Sequence, residues 1–573
     1  MLTPFGEKLN RETPLSEYPR PQLRRESWQC LNGPWEYAIR PTVPEEPFPQ
    51  SWDGSILVPF SPESELSGVG RTLRPAETLW YRRYFALPEN WNAGKRLLLH
   101  FGAVDQEAAV FVNGQKAGEH RGGYNAFTVD ATAFVQPQNE LIVRVYDDTD
   151  ASWHTRGKQR TKRGGIWYTP QSGIWQTVWM EYVPEAYISA LRITPDVAAS
   201  CVRIEVQSAS DAPCAVVFGG VRHEGRTNAE ITVPVASPVL WSPEQPKLYD
   251  FTAELGEDRV QSYFAMRSVA AGRDSKGRPC LMLNGEPYFH SGVLDQGYWP
   301  DGLYTAPSDE AMVYDIQLMR NMGFNMLRKH IKIEPLRWYY HCDRLGMLVW
   351  QDMINGGGQY DLLTISAPLI TRRHRRDDDY RRFARKDADG RAQYYEELDA
   401  MVRQLYSCPC IVMWVPFNEG WGQFDAAEAV RRIRAVDPTR TVDHASGWHD
   451  QGISDVKSLH VYFYPYRFAP DKHGRAVVLS EFGGYKLPVA GHTWNDANFG
   501  YRGYKTREAL GAAYARLYER EIITAREKGL SASVYTQLSD VEDEVNGFVT
   551  YDRECVKFDI AAVRAINERL IKG

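Results

Sequence analysis

Ile411-Val412-Met413-Trp414-Val415 is a run of apolar, partly β-branched residues, the pattern of a strand buried on both faces, and it gives way almost at once to Asn418-Glu419-Gly420-Trp421. A doubly buried strand belongs in a parallel sheet wrapped by helices. In a parallel α/β barrel the C-terminal strand ends build the active site, so an amide and a carboxylate placed there predict chemistry. Ala476-Val477-Val478-Leu479-Ser480-Glu481-Phe482-Gly483-Gly484 repeats the form. Two glutamates at strand ends match the paired carboxylates of glycoside hydrolysis.

At 573 residues the chain is too long for one core, and several domains are expected. A net charge of -6 carries no nucleic-acid signature. Residues 1–20 lack an apolar signal segment, and no later stretch approaches the 18 or so apolar residues of a membrane span. The expectation is therefore a soluble, cytoplasmic protein without membrane or nucleic-acid partners, its homo-oligomerisation left open. Eight scattered cysteines, without paired zinc-type spacing, predict free thiols.

From about 20 to 183 the chain reads as a β-sandwich, with strands such as 96–101 and 108–112 and an Asn113-Gly114 hairpin turn. The segment from Asp147 to Gln171 carries Trp153, His154, Trp167, Tyr168 and several basic residues; a loop so long and aromatic is expected to reach toward another domain. From 184 to 271 alternation in Val202-Arg203-Ile204-Glu205-Val206 predicts a small immunoglobulin-like sandwich. After 272 strands alternate with amphipathic helices, the signature of a (β/α)8 barrel through 573. Strands five to seven must fit around positions 419–481, where an ordinary strand-helix unit takes about 30 residues, so the helices between strands 5 and 7 should be shortened or missing. One long helix is expected over 507–528. The charged run from Arg372 to Arg391 reads as solvated surface.

On these residues the chain resembles glycoside hydrolase family 2, the family of β-galactosidases, β-glucuronidases and β-mannosidases. Asn418-Glu419 resembles its acid/base motif and Ser480-Glu481-Phe482-Gly483 its nucleophile motif; Arg328-Lys329-His330 with Pro335, and Cys342-Asp343-Arg344-Leu345-Gly346, resemble its run through strands two and three. The resemblance implies an N-terminal jelly-roll β-sandwich over 1–183, an immunoglobulin-like β-sandwich over 184–271 and a catalytic TIM barrel over 272–573. It implies an exo-acting retaining β-glycosidase with a carbohydrate substrate and no cofactor. A β-galactoside is the default substrate; a β-glucuronidase or β-galacturonidase is the alternative, and an inactive carbohydrate-binding protein a further one. Departures bear on the sugar: His290-Ser291-Gly292-Val293-Leu294-Asp295-Gln296 replaces the usual strand-one segment, and the Asn-x-Lys motif by which glucuronidases hold a uronic carboxylate is missing.

The expected roles are Glu481 as nucleophile and Glu419 as acid/base, the charge of Glu481 keeping Glu419 protonated. Asn418 would bond the sugar 2-hydroxyl, and Arg328 and Tyr462 would hold Glu481 ionised. His330, His460, Asp352, Gln537, Asp295, Trp414 and Trp421 are the remaining candidates for binding hydroxyls or stacking on the ring. If Arg328 faces the pocket, alternation turns Lys329 away. No dedicated metal site is visible, although Asp352, His330 and Glu419 have the chemistry to hold magnesium.

Overall fold

The computed structural model describes residues 1–572 except 45–46, 89–90, 92–93 and 372–373. The first two residues of the charged run that begins at Arg372 thus lie outside the described residues.

The N-terminal sandwich packs a six-stranded antiparallel sheet on a four-stranded one, around a core that includes Trp35, Tyr81, Leu99, Val110 and Val143. The second sandwich has a three-stranded and a four-stranded sheet. Its inward row contains Val202, Ile204 and Val206, while Arg203 and Glu205 are less buried, as strand alternation requires. Trp241 fixes this domain to the barrel by donating its indole N–H to the Asp343 carbonyl. The strand Val269–Arg273 then pairs with Pro279–Leu283 and so straddles position 271.

The barrel follows, with strands β1 (His290–Asp295), β2 (Met326–Lys329), β3 (Leu348–Asp352), β4 (Ile411–Val415), β5 (Thr441–Val442), β6 (Val456–Val461), β7 (Ala476–Gly483) and β8 (Leu530–Thr536). All neighbours pair in parallel, in the order β5-β4-β3-β2-β1-β8-β7-β6. The ring is nearly closed, its one seam lying between β5 and β6. There a single loop is turned back onto β5: Val442 donates its backbone N–H to the Asp455 carboxylate at 2.8 Å.

Helices α1 (Asp309–Asn321) and α2 (Leu336–Leu345) return the chain to the bottom of the barrel. Ser308 caps the first by accepting from the Ala311 N–H. Gly346, at φ 74°, ends the second in a left-handed turn. Helices α3 (Ala388–Leu405) and α4 (Ala426–Val436) flank β4, and no helix lies between β5 and β7. That side of the barrel is therefore walled by loops, as the short spacing requires. The helix expected over 507–528 is in three parts: α5 (Arg507–Leu517), a π-helical turn (Tyr518–Ile522) and α6 (Ile523–Lys528). The wider turn keeps Tyr514, Tyr518, Ile522 and Ala525 on one buried face. Helix α7 (Ile560–Lys572) closes the chain. No helix among the described residues is long and apolar enough to cross a membrane.

Candidate active site

Beyond β4 the backbone turns through two successive left-handed residues, Glu419 at φ 51° and Gly420 at φ 72°. Glycine enters that conformation freely, whereas at Glu419 it costs about 1–2 kcal/mol. The turn is held by the Glu419 N–H donating to the Ser446 carbonyl at 2.8 Å. A Cβ at position 420 would lie 2.6 Å from the His449 ring, so only glycine fits. The strain turns the Glu419 carboxyl into the barrel mouth, opposite Glu481 on β7.

Carboxylate oxygens of the two glutamates lie within 4.8 Å of each other. Between them stands His460 of β6, its Nδ1 2.7 Å from Glu419 Oε1 and 3.5 Å from Glu481 Oε2. Arg328 of β2 is fully buried. It donates to Glu481 Oε1 at 3.0 Å, to Asp352 Oδ1 at 3.0 Å and to Asn418 Oδ1 at 2.8 Å. The Tyr462 hydroxyl donates to Glu481 Oε2 at 2.5 Å, and its ring stacks on Tyr501 with centroids 3.6 Å apart. His330 Nδ1 sits 2.8 Å from Asp352 Oδ2. Asn418 Nδ2 is buried without a protein partner, which leaves an N–H donor for a substrate hydroxyl.

These contacts divide the two carboxyls. Burial pushes both upward. At Glu481 burial is outweighed by His460, Arg328, His330 and the Tyr462 hydrogen bond, which hold it below the ordinary glutamate value of 4.5. At Glu419 burial is the largest cause, the charge of Glu481 adds to it, and the pKa rises above 4.5 despite the His460 contact. Desolvation, more than the neighbouring charge invoked from sequence, is what raises Glu419. His330 is itself pushed well below its usual value by burial, Lys158 and Arg328. Activity that needs an ionised Glu481 and a protonated Glu419 should rise as pH passes the lowered value and fall as it passes the raised one. The expected kcat/KM profile is a bell lying across 4.5, with its alkaline limb removed in Glu419→Gln; a pH–rate series on both proteins checks this.

The sheet register separates the other candidates. Leu294, Arg328, Trp350 and Met413 lie level across β1 to β4 on the inner row, and Asp295, Lys329, Gln351 and Trp414 lie level on the outer one. Lys329 does face away, and Asp295 and Trp414 go with it. Asp295 bonds Lys329 Nζ at 2.7 Å, and the Trp414 indole donates to Asp437 at 2.8 Å. Neither belongs to the pocket, because side chains alternate and both have the outward parity. Gln537 accepts from Gln296 and donates to Asn546, so its amide ties loops together rather than facing substrate. Trp421 lies beside the site, with its ring 6.3 Å from that of His330. Asp352, paired to Arg328 and His330, does not join Glu419 in a cation site. In the barrel mouth the trio that converges is Glu419, His460 and Glu481.

Groups that sequence reasoning missed complete the wall. Tyr501 comes from an aperiodic loop after β7. Lys158, one of the unnamed basic residues of the 147–171 loop, comes from the N-terminal sandwich, its Nζ 5.8 Å from the Trp421 ring. The 147–171 loop reaches the barrel as expected: Trp167 packs on Trp421 at 5.1 Å, and the Arg156 and Gly157 N–H groups both donate to the Asn355 carbonyl.

Three family models match in chain order: the sugar-binding domain of glycosyl hydrolases family 2 over residues 70–184, its central domain over 186–267 and its TIM-barrel domain over 281–480. A putative β-glucuronidase of Formosa agariphila is 28% identical over 53% of this chain and 37% of its own. A β-galactosidase of Thermoanaerobacter pseudethanolicus is 23% identical over 62% of this chain and 46% of its own. The chain therefore spans less than half the length of either curated relative. The solved β-D-glucuronidase of Dictyoglomus thermophilum superposes with a TM-score of 0.73 at 16% identity, covering 96% of this chain and 98% of that one. With its two sandwiches, its barrel and these three matched domains, the chain is a member of glycoside hydrolase family 2.

Proposed function

We propose that the protein is an exo-acting retaining β-glycosidase whose terminal sugar is a uronic acid. The carrying observation is a single cation that the 147–171 loop brings to the site: Lys158 is buried, with its Nζ 5.8 Å from the ring of Trp421, two residues past Glu419. Such a cation attracts an anion and gains nothing from a neutral hexose. The relative named a putative β-glucuronidase points the same way, and the relative named a β-galactosidase marks the neutral alternative. The uronide is thus preferred over the galactoside default.

The close carboxylates support retention, since inverting pairs stand about 6.5–9.5 Å apart to admit water. Glu481 attacks the anomeric carbon while Glu419 gives its proton to the departing oxygen, which leaves a glycosyl ester on Glu481. Loss of the Glu481 charge lets Glu419 stay ionised; it then takes a proton from water, whose oxygen attacks the same carbon and frees Glu481. Asn418 Nδ2 bonds the 2-hydroxyl as the oxocarbenium ion develops.

On p-nitrophenyl β-glycosides, we expect kcat/KM for the glucuronide or galacturonide to exceed that for the galactoside by about 100-fold or more, the usual scale for a buried charge pair. A galactoside turned over better than both uronides would return the neutral reading.

A further inference from the structure

Lys158 is 5% exposed, yet its ammonium has no acceptor at an ordinary distance. Its contacts are the Tyr168 hydroxyl at 3.5 Å and Glu544 Oε2 at 3.8 Å, whereas a charge-assisted hydrogen bond spans about 2.7–2.9 Å. Glu544 is turned to another partner, accepting the Tyr168 hydroxyl in a short bond. An ammonium offers three donors, and a buried one met only by two distant acceptors is poorly compensated. The backbone is built to bring it here. Gly157, at φ 60°, lies so close to the barrel that a Cβ would stand 2.8 Å from the Tyr304 hydroxyl and 3.2 Å from the Ile331 carbonyl.

The ammonium stands over Trp421, two residues past Glu419, and its charge is felt at both Glu419 and His330. It therefore faces the site from the side of Trp421, whereas Arg156, Arg160 and Arg163 make other contacts. Arg156 is committed to the Gly357 and Gly358 carbonyls, Arg163 reaches Glu542 and Asp543, and Arg160 lies over the rings of Trp167 at 4.4 Å and Tyr360 at 5.5 Å.

We infer that Lys158, delivered by the N-terminal sandwich, binds the C6 carboxylate of the terminal uronic acid and takes the place of the missing Asn-x-Lys motif. This rests on the uronide reading above and names the residue that carries it. The incoming carboxylate supplies the close acceptor that Glu544 does not.

The test compares wild type, Lys158→Met and Lys158→Arg on the preferred p-nitrophenyl uronide and the matching neutral hexoside, with free D-glucuronate and D-galacturonate as competitive inhibitors. Lys158→Met should lose about 100-fold or more of kcat/KM on the uronide and a similar factor in uronate inhibition. Its loss on the neutral hexoside should be far smaller, so that the ratio of uronide to hexoside kcat/KM falls by about 100-fold, and Lys158→Arg should recover part of the loss. A thermal unfolding midpoint close to wild type shows that the variant is folded. Equal loss on both substrates, or no loss on the uronide, would overturn the assignment of Lys158. A wild-type enzyme that prefers the neutral hexoside would overturn the uronide reading itself, and this is visible before any variant is made.

Discussion

Glu481→Gln is expected to lower kcat on any aryl β-glycoside by on the order of 10^4-fold or more, the scale on which loss of a nucleophile reads out in other covalent enzymes. The amide has nearly the same shape as the carboxylate, so Arg328 and Tyr462 stay in place, but it carries no charge with which to form the glycosyl ester. Binding should survive: a competitive sugar inhibitor ought to bind the variant within a few-fold of wild type, because Asn418 Nδ2 and the aromatic wall are untouched. Full activity in this variant would place the nucleophile elsewhere. Full loss of both turnover and binding would mean that the substitution had collapsed the Arg328 network, since a buried cation deprived of one partner costs about 3–5 kcal/mol.

Glu419→Ala should fail differently, and the difference separates the two roles. An alcohol leaving group needs the proton of Glu419, and its loss should cost about 10^2–10^4 in rate. A dinitrophenolate departs without help. The variant should release one equivalent of phenolate in a burst and then stall as the glycosyl ester on Glu481, because no base remains to activate water. Azide needs no base, so it should restore turnover and give a β-glycosyl azide. The checks are burst kinetics, the mass of the trapped protein and the NMR configuration of the azide. An α-azide, or rescue without a burst, would contradict the assignment of Glu481 and Glu419 to these roles.

The barrel and its carboxylate pair were legible because each strand announces itself by an apolar run and each glutamate interrupts one. Arg328 and Tyr462 were expected as the donors that hold Glu481 ionised, and both donate to it. Trp414 and Asp295 went astray because parity was applied to the second strand and not carried across the sheet; only the register that sets Trp414 beside Gln351 and Lys329 fixes which way they turn. Tyr501 had no periodic context to mark it. Lys158 had a signal, the basic aromatic loop, but its position over Trp421 depends on a contact between domains that no local pattern encodes.

The barrel holds the carboxylate pair, while Trp167 and Lys158, set against Trp421, belong to the 147–171 segment of a different domain. On the proposed function, the groups that break the bond and a group that reads the sugar lie on separate stretches of chain. Exchange of this one segment is then expected to change the preferred glycoside while the catalytic strands stay as they are.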